Sequence, residues 1–517
     1  MIRTNKSKFL ALMAFHMLWG SVLWFSISKY GLGISTDSVH LLFGGLNLAM
    51  GRGLISFDGS RILGWPPLYS VLLAFIHLVS GWDVFVSANV LQALAFIGLS
   101  LCLSLLFLKI FPGNFLLAFA GNLLSDIGVV VLTGFTMVGS DYVHLALVIL
   151  FIWLAGTYIE NNSPRILLAM FVVGMLAMLQ RYLGIAVIAT GTAMVFLFSG
   201  GTLLQRIGRG LLISLAALPS GVWLFITSGS VERRAPISFD ENFNWFSKSI
   251  LEWFFPAEAL KAHLGLYIIY LWILIFGLIV FLLIGSSHHN FSASYTFPVF
   301  VFGILYLSVL FGSASIAYYN KLGGRFLLPL YIPFITLLTV TVDDLLRLAS
   351  TWQARILNRV ISAGLIAALL IVTGLLLNVT LPVILDSHAN GAADGENAIN
   401  TTAWRENKTI EYWLNHRPTG QYRLFSNYPD GIAFYSGHSC NRSPIKNSGP
   451  YGTQEFPVSQ YASELFSSGQ DVYIIWIEPN DHSYFYEVDE LSSIAQIEPL
   501  FSGPDGAVYR LKPIAGS

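Results

Sequence analysis

The chain has 517 residues, of which 55% are hydrophobic and 11% charged, against about 45–50% and about 25% in ordinary globular chains, which excludes a soluble enzyme. The formal net charge of −1 is split unevenly, with 20 Lys and Arg against 13 Asp and Glu in residues 1–382, and 8 against 16 in residues 383–517. That is a cationic membrane body followed by an acidic, water-facing tail, and its two cysteines, Cys102 in an apolar run and Cys440 in the tail, argue against a disulfide framework, thiolate zinc sites and redox chemistry.

A helix crossing about 30 Å of hydrocarbon needs about 20 apolar residues, with every backbone group paired inside it. The opening MIRTNKSK runs into the first such stretch without a small-residue cleavage pattern, so it reads as a retained first span. Apolar runs near 9–29, 84–108, 115–132, 142–159, 166–180, 182–199, 210–228, 263–284, 294–313, 326–342 and 359–382 make about eleven transmembrane helices. The stretch 66–79, opened by Pro66-Pro67-Leu68-Tyr69, is too short to cross comfortably and reads as an interfacial or re-entrant helix. With it left out, the loops holding Asp37 and Asp141 share one membrane face. With a cytoplasmic N-terminus the inner segments then collect Arg3, Lys6, Lys8, Lys109, Arg165, Arg206, Arg209, Arg347, Arg355 and Arg359, while the outer loops are not depleted, holding Arg52, Arg61, Arg181, Arg233, Arg234, Lys248, Lys261, Lys321 and Arg325 in long loops where positive-inside sorting is weak.

Past Pro382 the pattern changes to Asn, Gly and Asp through Asp386–Asn400. A helix is expected over Asn407–His416, a strand over Tyr422–Ser426, a short helix from Pro429 ending at Gly437, and strands over Asp471–Ile477 and Gly506–Leu511. The fold class is a polytopic α-helical membrane protein with a small C-terminal α/β domain outside the membrane. Its expected division is a transmembrane domain, 1–382, with outer loops 30–83, 133–141, 229–262 and 314–325, and a soluble domain, 383–517.

Two similar strings stand at the membrane surface: Asp37-Ser38-Val39-His40-Leu41 and Asp141-Tyr142-Val143-His144-Leu145. Each Asp follows Ser or Thr and precedes an apolar run, so it can cap a helix, and i,i+3 spacing puts its His on the same face. Asp37 also heads a loop of about 50 residues carrying Gly51-Arg52-Gly53, Arg61 and Trp65, and uncovered loops that long are usually functional. Asp126, beside Ser125 and Asn122 in the third span, is either a helix-packing hydrogen-bond site or part of a polar path. Trp245, Trp253, Phe254, Phe255, Tyr318 and Tyr319 either stack on a sugar and flank a lipid tail or form an ordinary interfacial belt.

The order of these elements resembles the GT-C superfamily of integral-membrane glycosyltransferases, in particular the bacterial branch similar to protein O-mannosyltransferases and lipid A aminoarabinose transferases. The matching positions are Asp37, the stretch Asn47–Gly53, Pro66-Pro67-Leu68-Tyr69, Asp141 and Arg181-Tyr182-Leu183-Gly184. Ser38 stands where many relatives have a second acidic residue, and Trp65 where some have a Lys before the prolines. The resemblance implies transfer of a sugar from a polyprenyl-phosphate donor to a hydroxyl of a lipid, glycan or protein acceptor on the outer face, with inversion. Asp37 is then the general base, and Asp141 orients the acceptor, holds a metal or positions a partner group. Arg181, Arg325, Arg233, Arg234, Arg52 and Arg61, with Tyr69, are the candidates for the donor and its leaving phosphate; any of these arginines can instead be a snorkelling anchor. Arg181 lies between two apolar runs with almost no loop to solvate it, so its charge needs a partner.

Beyond the resemblance, Asp37, His40, Asp141 and His144 could together form an O₂N₂ set suited to zinc or manganese. The alternatives are a polyprenyl-linked glycan ligase or polymerase, and a non-enzymatic lipid or sugar transporter, which should show internal repeats and midplane charges. A non-catalytic scaffold explains the acidic tail but leaves the first loop without a purpose. Membrane lipids are expected as partners, and nucleic acid is not.

Overall fold

The computed structural model describes residues 2–227, 237–260, 264–269, 271–272, 295–316, 322–350, 355–393, 398–447, 454–480 and 482–514. The helices in chain order are α1 (Ile2–Ile27), α2 (Thr36–Ala49), α3 (Leu68–Ser80), α4 (Val84–Ile110), α5 (Phe115–Asp126), α6 (Val129–Thr136), α7 (Ser140–Asn161) and α8 (Pro164–Gln180). They continue with α9 (Ile185–Phe198), α10 (Leu203–Ser214), α11 (Leu218–Thr227), α12 (Phe239–Leu251), α13 (Thr296–Ala314), α14 (Leu328–Ser350) and α15 (Arg355–Asn390). Among the described residues six helical segments are each long and apolar enough to cross a bilayer, and a bent pair makes a seventh. This is a multi-pass membrane protein. The apolar run expected near 263–284 lies mostly outside the described residues. At 13 residues, α3 reaches about 20 Å, short of the hydrocarbon thickness.

Two features depart from the expected spans. The run 115–132 is not one helix but α5 and α6, bent by 53° at a break. In lipid a break exposes carbonyls that water cannot satisfy, and three side chains supply the donors. Trp19 Nε1 donates to the Asp126 carbonyl at 3.0 Å, the Tyr331 hydroxyl to Leu124 at 2.7 Å, and the Thr380 hydroxyl to Ile127 at 2.7 Å. Gly128 at the break lets the Tyr331 ring approach: a Cβ there would stand 2.4 Å from that ring. The last span, expected to end near 382, instead continues through Pro382 to Asn390, since one lost N–H does not stop a helix whose neighbours are apolar.

The break leaves Asp126 facing α1. His16 Nδ1 donates to Asp126 Oδ2 at 2.5 Å, while Nε2 lies 3.1 Å from Ser104 Oγ and 3.0 Å from Asn122 Oδ1. Asp126 is therefore a packing site joining α1, α4 and α5.

Contacts divide the chain into two compact units, one of Met1–Lys29, Leu63–Leu72 and Val86–Ala389, the other of Tyr30–Ile62, Leu73–Phe85 and Asn390–Ser517. In the second, α16 (Lys408–His416) begins at Asn407, whose side chain accepts from the Thr409 and Ile410 amides, and α17 (Pro429–Ser436) ends at Gly437 in the left-handed region, φ 67°. The strands are β1 (Tyr422–Ser426), β2 (Asn441–Arg442), β3 (Asp471–Ile477), β4 (Ala495–Gly503) and β5 (Gly506–Pro513), ordered β2-β1-β3-β5-β4. The pairs β1/β2 and β1/β3 are parallel, while β3/β5 and β4/β5 are antiparallel. Central β3 carries Val472, Ile474 and Trp476 into a core with Phe425, Phe485 and Leu511. The first loop is sewn to this fold: Asn400 Nδ2 donates to the Tyr30 and Leu32 carbonyls at 2.7 and 2.9 Å, and the Ile399 amide to Ile34 at 2.8 Å.

Two outcomes are expected. Helix α15, with 36 residues, reaches about 54 Å, so reporters fused near Arg355 and Gly391 should report opposite faces, cytoplasmic and extracytoplasmic respectively; one shared face would mean that α15 does not cross. Removing only one partner of a buried ion pair costs about 3–5 kcal/mol, so His16→Ala should lower the unfolding temperature in detergent far more than the joint change His16→Leu, Asp126→Leu.

Candidate functional site

In the first unit, the C-terminal end of α8 lies against the N-terminal end of α7. Gln180 Nε2 donates to the Ser140 carbonyl at 3.2 Å, and His144 Nδ1 to the Ala177 carbonyl at 3.1 Å. Arg181, extended at φ −150° and ψ 140°, then carries its guanidinium onto Asp141. The two side chains are only 15% and 12% exposed, so each supplies the counter-charge that the other needs in a site with little water.

Phe326 stands beside this pair. The Arg181 guanidinium lies 5.5 Å from its ring centroid and that of Arg325 lies 5.8 Å from it, both within cation–π range. The turn Gly323-Gly324-Arg325-Phe326 permits this because Gly324 sits at φ +44°, and a Cβ on Gly323 would stand 2.5 Å from Ser249 Oγ. Arg325 is exposed. Two cations on one ring, one restrained by a carboxylate and the other at the surface, form a positively charged face able to receive an anion by charge-assisted hydrogen bonds.

Asp37 and His40 lie in the second unit, on α2. Neither aspartate caps its helix. The α2 cap is Ser35, reciprocally bonded with Ser38, and α7 starts at Gly139 without a side-chain cap. Asp37 is the second residue of α2 and half-buried. Thr36 donates to Asp430 Oδ2 at 2.5 Å, holding the start of α2 against α17. His40 Nδ1 shares a 2.5 Å hydrogen bond with Ser56 Oγ. Burial holds the His40 imidazole below its usual value of 6.5, outweighing the opposing charges of Asp58, Asp37 and Asp430, so the ring is neutral at pH 7.

The other expected residues scatter. Arg52 and Arg61 are exposed in the second unit, Arg52 reaching Asn47 Oδ1 at 3.5 Å. Tyr69 is fully buried in the first unit. Arg233, Arg234, Tyr318 and Tyr319 lie outside the described residues. Trp253 is buried edge-on to Tyr331, so it is core, while Trp245 carries Lys248 over its ring at 4.9 Å. Among the described residues, no three His, Cys, Asp or Glu side chains stand together as a metal ion requires. Of the expected quartet, Asp141 is committed to a guanidinium, while His144 and His40 each engage only Nδ1, with a carbonyl and a hydroxyl. Phe326 was missed although it directly follows Arg325, because its part depends on Arg181, 145 residues earlier in the chain, reaching the same ring.

The architecture has counterparts among solved structures. ArnT from Cupriavidus metallidurans in the apo state superimposes with a TM-score of 0.59 at 12% identity, covering 97% of this chain and 98% of that one. The same protein bound to undecaprenyl phosphate gives 0.56 at 11%, covering 98% of each. The chain has the GT-C fold. A third GT-C structure, the arabinofuranosyltransferase AftD from Mycobacteria, gives 0.54 at 11% identity, over 97% of this chain and 40% of that one. No protein-family model matches the chain, and no curated sequence does.

The Arg181–Asp141 pair should behave as one unit. Asp141→Asn and Arg181→Gln should each lower thermal stability, and the double variant should fall short of their sum by a coupling of about 0.5–3 kcal/mol. Strict additivity would mean that the ion pair is absent in the folded protein.

Proposed function

We propose that this protein is an inverting membrane glycosyltransferase that moves a sugar from a polyprenyl-phosphate-linked donor to a hydroxyl of a lipid, glycan or protein acceptor on the outer face of the membrane. The observation that carries the reading is the pair of guanidiniums, Arg181 and Arg325, held on the Phe326 ring beside Asp141 in a chain with the GT-C fold. In support, the similar ArnT structure contains undecaprenyl phosphate.

In this reading Asp37 takes the proton of the acceptor hydroxyl, whose oxygen attacks the anomeric carbon from the side opposite the phosphate. The bond from that carbon to the phosphate oxygen breaks, and the phosphate leaves with the electron pair. A single displacement inverts the anomeric centre and needs no protein nucleophile. Arg181 and Arg325 stabilise the charge that grows on the departing phosphate, through fork-shaped bonds that lysine cannot reproduce. Asp141 fixes the direction of the Arg181 guanidinium and is a positioning residue. The zinc or manganese quartet is not carried into the mechanism, because Asp141 is paired with Arg181 and, among the described residues, no three candidate ligands stand together.

The test is transfer of label from radiolabelled polyprenyl-phosphate hexoses and pentoses to hydroxyl-bearing lipids, glycans or proteins of a cell-envelope extract, with release of polyprenyl phosphate, by the purified full chain. Asp37→Asn is nearly isosteric and cannot accept the proton, so turnover should fall by about 10²–10⁴ with donor binding retained. Turnover within a few fold of wild type would remove the base role from Asp37. Arg181→Gln and Arg325→Gln should weaken donor binding, and the Lys variants should recover only part of it; unchanged affinity in both would remove the phosphate role.

A further inference from the structure

The second unit holds a cavity of about 590 Å³ lined by residues of α2, α17, the 399–407 segment and the loops after β1, β3 and β4. Its size lies within the range of small-ligand sites, about 300–1,000 Å³. Part of the wall is aromatic. Trp404 and Tyr428 meet edge to face, 5.8 Å apart at 80°, Tyr428 lies 4.9 Å from His482, and His482 stacks on Tyr484 at 5.3 Å. All four rings line the cavity and are half-buried, and one face of Trp404 is taken by Tyr435, stacked on it at 6.1 Å. An aromatic face carries partial negative charge and attracts polarised C–H bonds, such as those along one side of a pyranose ring.

The polar lining selects among ligands. Four carboxylates, Asp58, Asp430, Glu478 and Asp505, face one guanidinium, Arg442. Such a lining repels phosphate and favours a neutral ligand rich in hydroxyl donors, since each carboxylate offers about four acceptor positions. Asp430 is 8% exposed and accepts from the Thr36 hydroxyl, which leaves further acceptor capacity on a carboxylate that is nearly out of water. Thr36 and His40 both line the cavity, and Asp37, which does not line it, follows Thr36 on the first turn of α2.

We propose that this cavity is a saccharide-binding subsite that seats a neutral sugar ring of the acceptor, stacked on Trp404 and Tyr428 and hydrogen-bonded through its hydroxyls to Asp430. Sugar binding follows from the cavity itself; only its assignment to the acceptor rests on the glycosyl-transfer reading. A sugar held here places its hydroxyls beside the turn of α2 that carries the proposed base. Specificity for the acceptor then comes from the soluble fold and the first loop, while the donor is recognised by the cationic face of the first unit.

The experiment is saturation-transfer difference NMR on the purified full chain in detergent, with glucose, galactose, mannose and N-acetylglucosamine as probes and no donor present. At least one sugar should bind saturably to wild type, with inorganic phosphate unable to displace it. Trp404→Ala should weaken binding by about tenfold, as loss of one stacking contact implies, with partial recovery in Trp404→Phe. Because Trp404 also covers Gly431, Tyr428→Ala and Asp430→Asn serve as second variants, each checked by thermal unfolding and each expected to weaken the same sugar. Failure of every sugar to bind folded wild type, displacement by phosphate, or unchanged affinity in folded Tyr428→Ala and Asp430→Asn would overturn the proposal. Donor turnover is read separately: turnover without sugar binding overturns only this subsite, and sugar binding without turnover overturns only the transfer reading.

Discussion

A guanidinium at the junction of two apolar helices has little water to stabilise it, and one end of the first unit is organised around that fact. Arg181 falls where α8 hands over to α9, and its counter-charge comes from the second residue of α7. Two neutral bonds flank the pair, Gln180 to Ser140 and His144 to Ala177, so the ends of α7 and α8 are joined by three polar contacts in an otherwise apolar setting. The Phe326 ring covers the same guanidinium from the turn before α14. Removing the ion pair would leave each of these contacts without the charge that they surround.

The two Asp-X-Val-His strings show how environment, rather than motif, assigns chemistry. On α2 the capping is done by Ser35 and Ser38, and His40 is a neutral ring hydrogen-bonded to Ser56. On α7 the aspartate is held by an arginine, and His144 is fully buried against a backbone carbonyl. The same spacing thus serves a solvent-side helix start in one unit and a desolvated ion pair in the other. Only Asp37, whose helix is capped by its neighbours, is carried forward as a proton acceptor.

Much of the architecture was legible because lipid imposes a coarse rule on composition. Apolar run length located α4, α7, α13 and α15, and alternation or unbroken β-branched content located β1, β3 and β5. The break between α5 and α6 was not legible, because the run is continuously apolar and its bend depends on Trp19, Tyr331 and Thr380, distant in sequence. β4 was missed because Pro499 and a bulge before Phe501 interrupt its pattern. At the candidate site, the need of Arg181 for a partner could be argued from its position, but the partner and Phe326 could not. Trp404 and Asp430 carry no periodic signal at all; their significance arises only when the first loop and the C-terminal fold close around a common cavity.

The broken third span also constrains how the protein is made. Its three exposed carbonyls are closed by one donor from the first helix and by two from helices 207 and 253 residues further along the chain. While the ribosome is still synthesising the middle of the protein, Leu124 and Ile127 therefore lack their final partners. The α5–α6 bend is thus completed only once α14 and α15 are in place, and a chain ending before Tyr331 would leave two of its three carbonyls without these donors.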